Sequence, residues 1–269
     1  MSALRPVTLI TGASAGIGAE LARTFARNGH EVVLIARREP MLAALASEIA
    51  ASGARPPICL ALDLTSRDAS ARIAQALTAQ QCEPEYVVNN AGFGLVGLAA
   101  ELDRSEQVAM VDLNVRVLTD LSLAFLDGLK RRRGGLLNVA SVAAFLPGPG
   151  MAVYYATKAY VLSFSEALHR ELKPDGVRVT VLCPGPVKTE FQARAGIVED
   201  HFPSFLARSA GRVADEGYRG LMAGRRRVVP GTENKVVTML LPRILPRSLL
   251  LRITDGRQKW RRASPAPRS

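Results

Sequence analysis

The chain has 269 residues, 48% of them apolar, enough to bury one large core in one or two domains. Its formal charge of +11 is unevenly spread: residues 225–269 hold 12 Lys/Arg against 2 Asp/Glu, so the body before them is nearly neutral. No run reaches the roughly 18 uninterrupted apolar residues of a membrane-spanning helix, and the 3 cysteines (Cys59, Cys82, Cys183) are too scattered for a disulfide framework or a zinc site.

His30, His169 and His201 have no metal-ligand spacing, so no metal is expected. Residues 1–6 lack a basic, apolar and small-residue signal layout, which predicts a cytoplasmic protein.

In chain order, residues 7–11 make a short apolar run, and Gly12-Ala-Ser-Ala-Gly-Ile-Gly18 follows at once. Helical spacing of Leu21 and Phe25 begins over residues 20–28. A Gly-x-x-x-Gly-x-Gly alone is a weak signal; between a strand and a helix it points to a dinucleotide. The glycines let the backbone approach a pyrophosphate, and the helix N-terminus supplies free N–H groups. Residues 31–36 read as a second buried strand ending in Arg37-Arg38. An NAD site would carry an acidic side chain there for the ribose 2′-OH, but Ala36 holds that place. Fork-shaped guanidiniums suit a 2′-phosphate, which predicts NADP; the bland alternative is an Arg pair merely solvated in a loop.

An amphipathic helix over 41–51 leads to a strand over 58–62, closed by Asp63-Leu64. A helix from Thr65 to about residue 80 and a strand over 86–89 come next, ending in Asn89-Asn-Ala-Gly92. The longest helical pattern covers 104–130 and carries Asn114 inside it. Asparagine is mildly unfavourable there, so it either points to solvent or has a polar task.

Residues 136–139 predict a buried strand, followed by Ser141, a Pro/Gly-rich loop, and a helix carrying Tyr154 and Lys158. Four-residue spacing sets phenol and ammonium on one face, one turn apart. A nearby Lys⁺ favours phenolate, so Lys158 is expected to lower the Tyr154 pKa and fit it for proton exchange with an alcohol or carbonyl oxygen. Tyr-x-x-x-Lys by itself is more often a solvated helix face. A strand over 177–182 ends in Pro184-Gly185-Pro186-Val187-Lys188-Thr189, a mixed aromatic stretch over 191–206 reads as a flap above the substrate, and a helix over 213–222 precedes a last strand over 227–229.

Together these residues resemble the short-chain dehydrogenase/reductase family, in its shorter single-domain branch. The resemblance spans about residues 5–231 and rests on the glycine motif, Asp63, Asn89 to Gly92, Asn114, Ser141, Tyr154 with Lys158, and Pro184-Gly185 with Thr189. It implies a doubly wound α/β fold with a mainly parallel seven-stranded sheet and an NADP(H)-dependent oxidoreductase that interconverts carbonyl and alcohol. Tyr154 would be the general acid/base, with Lys158 lowering its pKa and holding the nicotinamide ribose. Ser141 would bind the substrate oxygen, and Asn114 would keep a water relaying protons from Lys158. Gly12, Ser14, Ile17 and Gly18 would line the pyrophosphate, and Asp63 and Leu64 the adenine. Asn90 and Gly92 would flank the adenosine ribose, and Pro184, Gly185, Val187 and Thr189 the nicotinamide. Tyr155 lacks a lysine four residues on, so it is not the expected acid/base.

Phe93, Leu95, Val96, Phe145, Leu146 and Met151 are the expected pocket lining, favouring a hydrophobic ketone, aldehyde or 3-oxoacyl group. A homo-oligomer is expected. The competing class is a non-catalytic NADP-binding regulator, against which the complete Ser141/Tyr154/Lys158 set argues. Residues 1–231 form the expected catalytic domain, 232–262 a basic apolar extension, and 263–269 a disordered tail. The extension's arginines alternate with Leu, Ile and Pro rather than with aromatics. That favours a membrane surface or packing on a protein over nucleic acid.

Overall fold

The computed structural model describes residues 4–187, 189–195 and 208–239, and beyond them 245–246, 248–252 and 254–255. Strands β1 (Arg5–Thr11), β2 (Val32–Ala36), β3 (Ile58–Ala61), β4 (Cys82–Asn89), β5 (Gly135–Val139), β6 (Arg178–Leu182) and β7 (Arg227–Val228) form one parallel sheet in the order 3-2-1-4-5-6-7. β2 and β5 are buried along their whole length. Both faces are covered, which is why these strands read as continuous apolar runs.

Helices α1 (Gly16–Arg27), α2 (Glu39–Ala51) and α9 (Ala210–Met222) cover one face, where Leu21, Phe25, Leu42 and Val213 pack on Ile10, Val32 and Leu34. On the other face α3 (Ala69–Ala79), α5 (Leu118–Ala124), α6 (Leu126–Arg132) and α7 (Ala152–Glu171) bring Ile73, Leu121, Leu129 and Leu168 onto Leu9, Val33 and Val87. The strand order runs outward from β1 to β3 and then returns to β4 on the other side of β1. A crevice for a ligand opens at such a reversal, outside the carboxyl ends of β1 and β4.

Three sequence expectations change here. β4 starts at Cys82 rather than at Tyr86, because a bulge lets it continue: Val7 pairs with Pro84, but Thr8 pairs with Tyr86. Glu83-Pro84-Glu85 hid that half of the strand from an apolar-run reading. The third helix begins at Ala69 and not at Thr65, since Asp63 accepts from Thr65 N (3.0 Å) and Thr65 Oγ1 (2.8 Å) and turns the chain first.

The long helix over 104–130 is not continuous either. It divides into α4 (Arg104–Val111), a π-helical turn over Asp112–Val117, α5 and α6. Asn114 sits in the π turn, 1% exposed, and its side chain grips the backbone of Phe93. Of the two options for an internal asparagine, the polar task is the one realised. π turns of this kind recur at functional sites.

Past residue 231, α10 (Thr232–Met239) follows directly, and Asn234 is buried against Gly185. The start of the extension therefore packs on the body. Near residue 250, Leu250 and Thr254 are buried while Leu249 and Leu251 are exposed. The expected tail over 263–269 lies outside the described residues.

Candidate active site

At the carboxyl end of β5 the backbone stays extended through Ser141, whose Oγ accepts from Ala143 N (3.1 Å) and starts a 3-10 turn over Val142–Phe145. The Pro/Gly loop then brings the chain into α7. Tyr154 lies in the first turn of that helix and Lys158 one turn on, both facing inward. The Ser141 side chain lies close enough to the Tyr154 phenol to favour its ionised form. Lys158 Nζ donates to Val139 O (2.9 Å) and stands 5.9 Å from the centre of the Tyr154 ring.

Asn114 completes the group. Its Nδ2 donates to Phe93 O (2.9 Å) and Thr157 Oγ1 (3.1 Å), and its Oδ1 accepts from Phe93 N (3.1 Å). Thr157 in turn donates to Tyr154 O (2.7 Å), so the π turn is tied to the helix that carries the tyrosine. Gly92 lies between these groups: a Cβ there would stand 2.8 Å from Asn114 Oδ1 and 3.5 Å from Lys158 Nζ.

The electrostatics differ from the sequence expectation. Burial pushes Tyr154 up to about 12, with the neighbouring Ser141 side chain acting the other way. Burial also draws Lys158 down to about 8. Both shifts have one cause, the disfavouring of charge away from water. The direction expected from Lys158 is thus not the one found in the folded polypeptide, where desolvation is the largest cause. Beneath the pair, Cys183 is buried and likewise pushed up to about 12, so it is an inert thiol here.

The other half of the crevice is built from the glycine loop. Gly12 has φ +65°, and Gly18 lies so close beneath it that a Cβ would come within 2.2 Å of Gly12 O. Asn90 Nδ2 donates to Thr11 O (3.0 Å) and Gly12 O (3.3 Å), bracing the loop from β4. Its amide thus holds the loop. α1 starts at Gly16 with no side chain capping it and no acidic residue in its first turn, which leaves N–H groups and a positive dipole end for an anion. Ser14 projects from this loop, and Arg38 donates to its Oγ through Nη2 (3.1 Å) and Nε (3.4 Å). Ile17 is half-buried against the core. Among the described residues this donor set suits the phosphates of a nucleotide.

At the end of β3, the Asp63 pKa is lowered from its ordinary value, because Thr65 donates to it and Arg37 stands nearby. Leu64 is buried behind it. On the far side, Val142 N donates to Pro184 O (2.9 Å), and Asn234 supports Gly185 from below. Val187 bridges to Arg208, and the Thr189 methyl touches the space over Gly16.

Phe93, Met151 and Tyr154 share one apolar cluster with Leu95 and Val96, as the pocket reading required. Phe145 does not join it. Its ring packs with Val161, Val181 and Val229 and lies under the Arg227 guanidinium, 5.3 Å from its centre, because the 3-10 turn carries it away from the crevice. Leu146 is outside the cluster as well. Phe191, on the short helix α8 (Glu190–Ala195), lies across Tyr154 with ring centres 5.5 Å apart. The first part of the expected flap is thus this helix; residues 196–207 lie outside the described residues. Met110 and Val153 pack in the same apolar cluster beside Tyr154. Met110 was missed, although it lies one turn before Asn114 on the same helical face.

The model of the short chain dehydrogenase family matches residues 6–199. An NADP-dependent 3-hydroxy acid dehydrogenase of Salmonella typhi is 38% identical over 191 residues, 70% of this chain and 75% of that enzyme. A short-chain dehydrogenase of Sphingobium yanoikuyae, solved in complex with NADPH, superposes with a TM-score of 0.77 at 30% identity, covering 98% of both chains. A bulky-bulky ketone specific alcohol dehydrogenase of Comamonas testosteroni gives 0.73 at 26% identity, covering 100% of this chain and 98% of its own. With a parallel sheet of this order and a family match over most of its length, the chain belongs to the short-chain dehydrogenase family.

Proposed function

We propose that this protein is an NADP(H)-dependent oxidoreductase that interconverts a carbonyl and an alcohol on an apolar substrate. The observation carrying the proposal is the meeting of Ser141, Tyr154 and Lys158 at the mouth of the glycine-loop crevice. When bound, the nicotinamide coenzyme supplies or accepts the hydride. The glycine loop and the α1 N-terminus would hold its phosphates, and Arg37 and Arg38 its 2′-phosphate.

Ser141 Oγ, beside the phenol, binds the substrate oxygen and keeps it in line with Tyr154. Tyr154 gives its proton to that oxygen in reduction and takes it back in oxidation; protonated at neutral pH, it is poised as an acid. Lys158, with its pKa near 8, is a cation at neutral pH and stabilises phenolate once the proton has left. Asn114 fixes Phe93 and Thr157 and so holds both walls of the site. The apolar side chains packed around Tyr154, Phe191 among them, favour a hydrophobic ketone or aldehyde. NADPH consumption over a panel of ketones, aldehydes and 3-oxoacyl thioesters tests the reading. Tight coenzyme binding without turnover on any of them would favour a regulator instead.

A homo-oligomer is the second part of the proposal. Val108, Val111, Leu123 and Tyr160, on α4, α5 and α7, are large apolar side chains left exposed. Sedimentation equilibrium of a Val111→Glu variant, expected to shift toward monomer, tests that face. For the extension, packing is better supported than a membrane surface, since Leu250 and Thr254 are buried. Truncation before Lys235 should then lower the melting temperature, and a truncated protein that melts as before would favour the membrane.

A further inference from the structure

Arg38 ends the loop after β2 where a 2′-phosphate would be read, and the fold has already given it a carboxylate. Its Nη2 donates to Glu190 Oε2 (2.8 Å) as well as to Ser14 Oγ (3.1 Å). Glu190 lies 152 residues further along the chain, as the first residue of α8. The contact is therefore tertiary. It joins the nucleotide end of the crevice to the helix whose next residue, Phe191, covers Tyr154.

We infer that Glu190 is a specificity-determining residue: its carboxylate is an internal competitor of the coenzyme 2′-phosphate for Arg38. This rests on the NADP reading above. Carboxylate and phosphate present similar oxygens to a guanidinium fork, so both seek the same donors. The Arg38–Glu190 pair is exposed on both sides, and exposed pairs are weak, so a phosphate dianion can displace the carboxylate. Once displaced, Glu190 stays within the screening length of the phosphate and repels it. A ligand without a 2′-phosphate has no reason to break the pair. Glu190 thus narrows the margin by which Arg38 favours the phosphorylated coenzyme.

The test is isothermal titration of 2′,5′-ADP and of ADP into the full-length wild type, Glu190→Gln, Arg38→Ala and the double variant. Circular dichroism melts establish that each is folded, with Glu190→Ala as a second neutral form. Glu190→Gln should tighten 2′,5′-ADP by about two- to fivefold, leave ADP unchanged, and have no effect in the Arg38→Ala background. No tightening, equal tightening of both ligands, or a gain that survives Arg38→Ala would overturn the inference. Wild-type protein that binds ADP as tightly as 2′,5′-ADP would overturn the NADP reading and this inference with it. A wild-type preference for 2′,5′-ADP with an inert Glu190→Gln would overturn the inference alone.

Discussion

Replacing Lys158 by methionine separates what the chemistry requires from what the fold prefers. The side chain is 5% exposed, and burial moves it from 10.5 to about 8. At about 1.4 kcal/mol per unit, holding it charged near neutral pH costs the fold on the order of 3 kcal/mol. Methionine has a similar length and no charge. It forgoes the 2.9 Å bond to Val139 O, a net loss of about 1 kcal/mol and more if that carbonyl stays dry. The balance favours Lys158→Met by roughly 1–2 kcal/mol, a few degrees in a chain of this size. The folded pKa of this base lies below its unfolded value, so between about pH 8 and 10.5 the unfolded chain holds a proton that the native state has lost. Wild-type stability from this group therefore rises with pH across that window, while the variant gains nothing. Thermal melts at about pH 6.5 and 9.5 should show the variant's advantage shrink by roughly 2 kcal/mol, while its turnover is lost. A gap between the two proteins that does not change with pH, or a variant less stable at the lower pH, would refute the reasoning.

Tyr154→Phe should reduce turnover by a factor of roughly 10² to 10⁴ and leave NADPH binding within a few-fold, read by steady-state kinetics and titration. Arg37→Asp should weaken NADPH far more than NADH in a coenzyme titration, because a phosphate-facing cation becomes a repelling anion. Gly18→Ala would drive a Cβ to 2.2 Å from Gly12 O, so nucleotide affinity should fall below detection by calorimetry and the melting temperature should drop. In Gly94→Ala, the new methyl would meet Phe191 Cζ at 2.9 Å and Tyr154 Cδ2 at 3.1 Å. Pushing Phe191 aside exposes the phenol, so the Tyr154 pKa should fall from about 12 and the alkaline limb of the pH–rate profile should move to lower pH.

The strands facing helices on both sides were legible because burial on two faces leaves only apolar residues, as in β2 and β5. The glycine loop was legible for a similar local reason: Gly12 needs a positive φ, and Gly18 has no room for a side chain. Tyr154 and Lys158 share a helix face by periodicity alone. The early half of β4 was not legible, since a bulge at Glu85 serves pairing with β1 rather than any pattern within the strand.

What the sequence by itself determined is therefore whatever depends on neighbours within a few residues: the alternation of strands and helices, the glycine loop, and the Tyr/Lys spacing. The tertiary structure alone decided the rest. It placed Asn114 in a π turn because Phe93, from another loop, offers its backbone. It sent Phe145 into a different cluster, brought Asn234 under Gly185, and set Glu190 against Arg38. It also reversed the direction of the Tyr154 shift, because desolvation depends on everything packed around the ring, whereas a four-residue spacing reports only one neighbour.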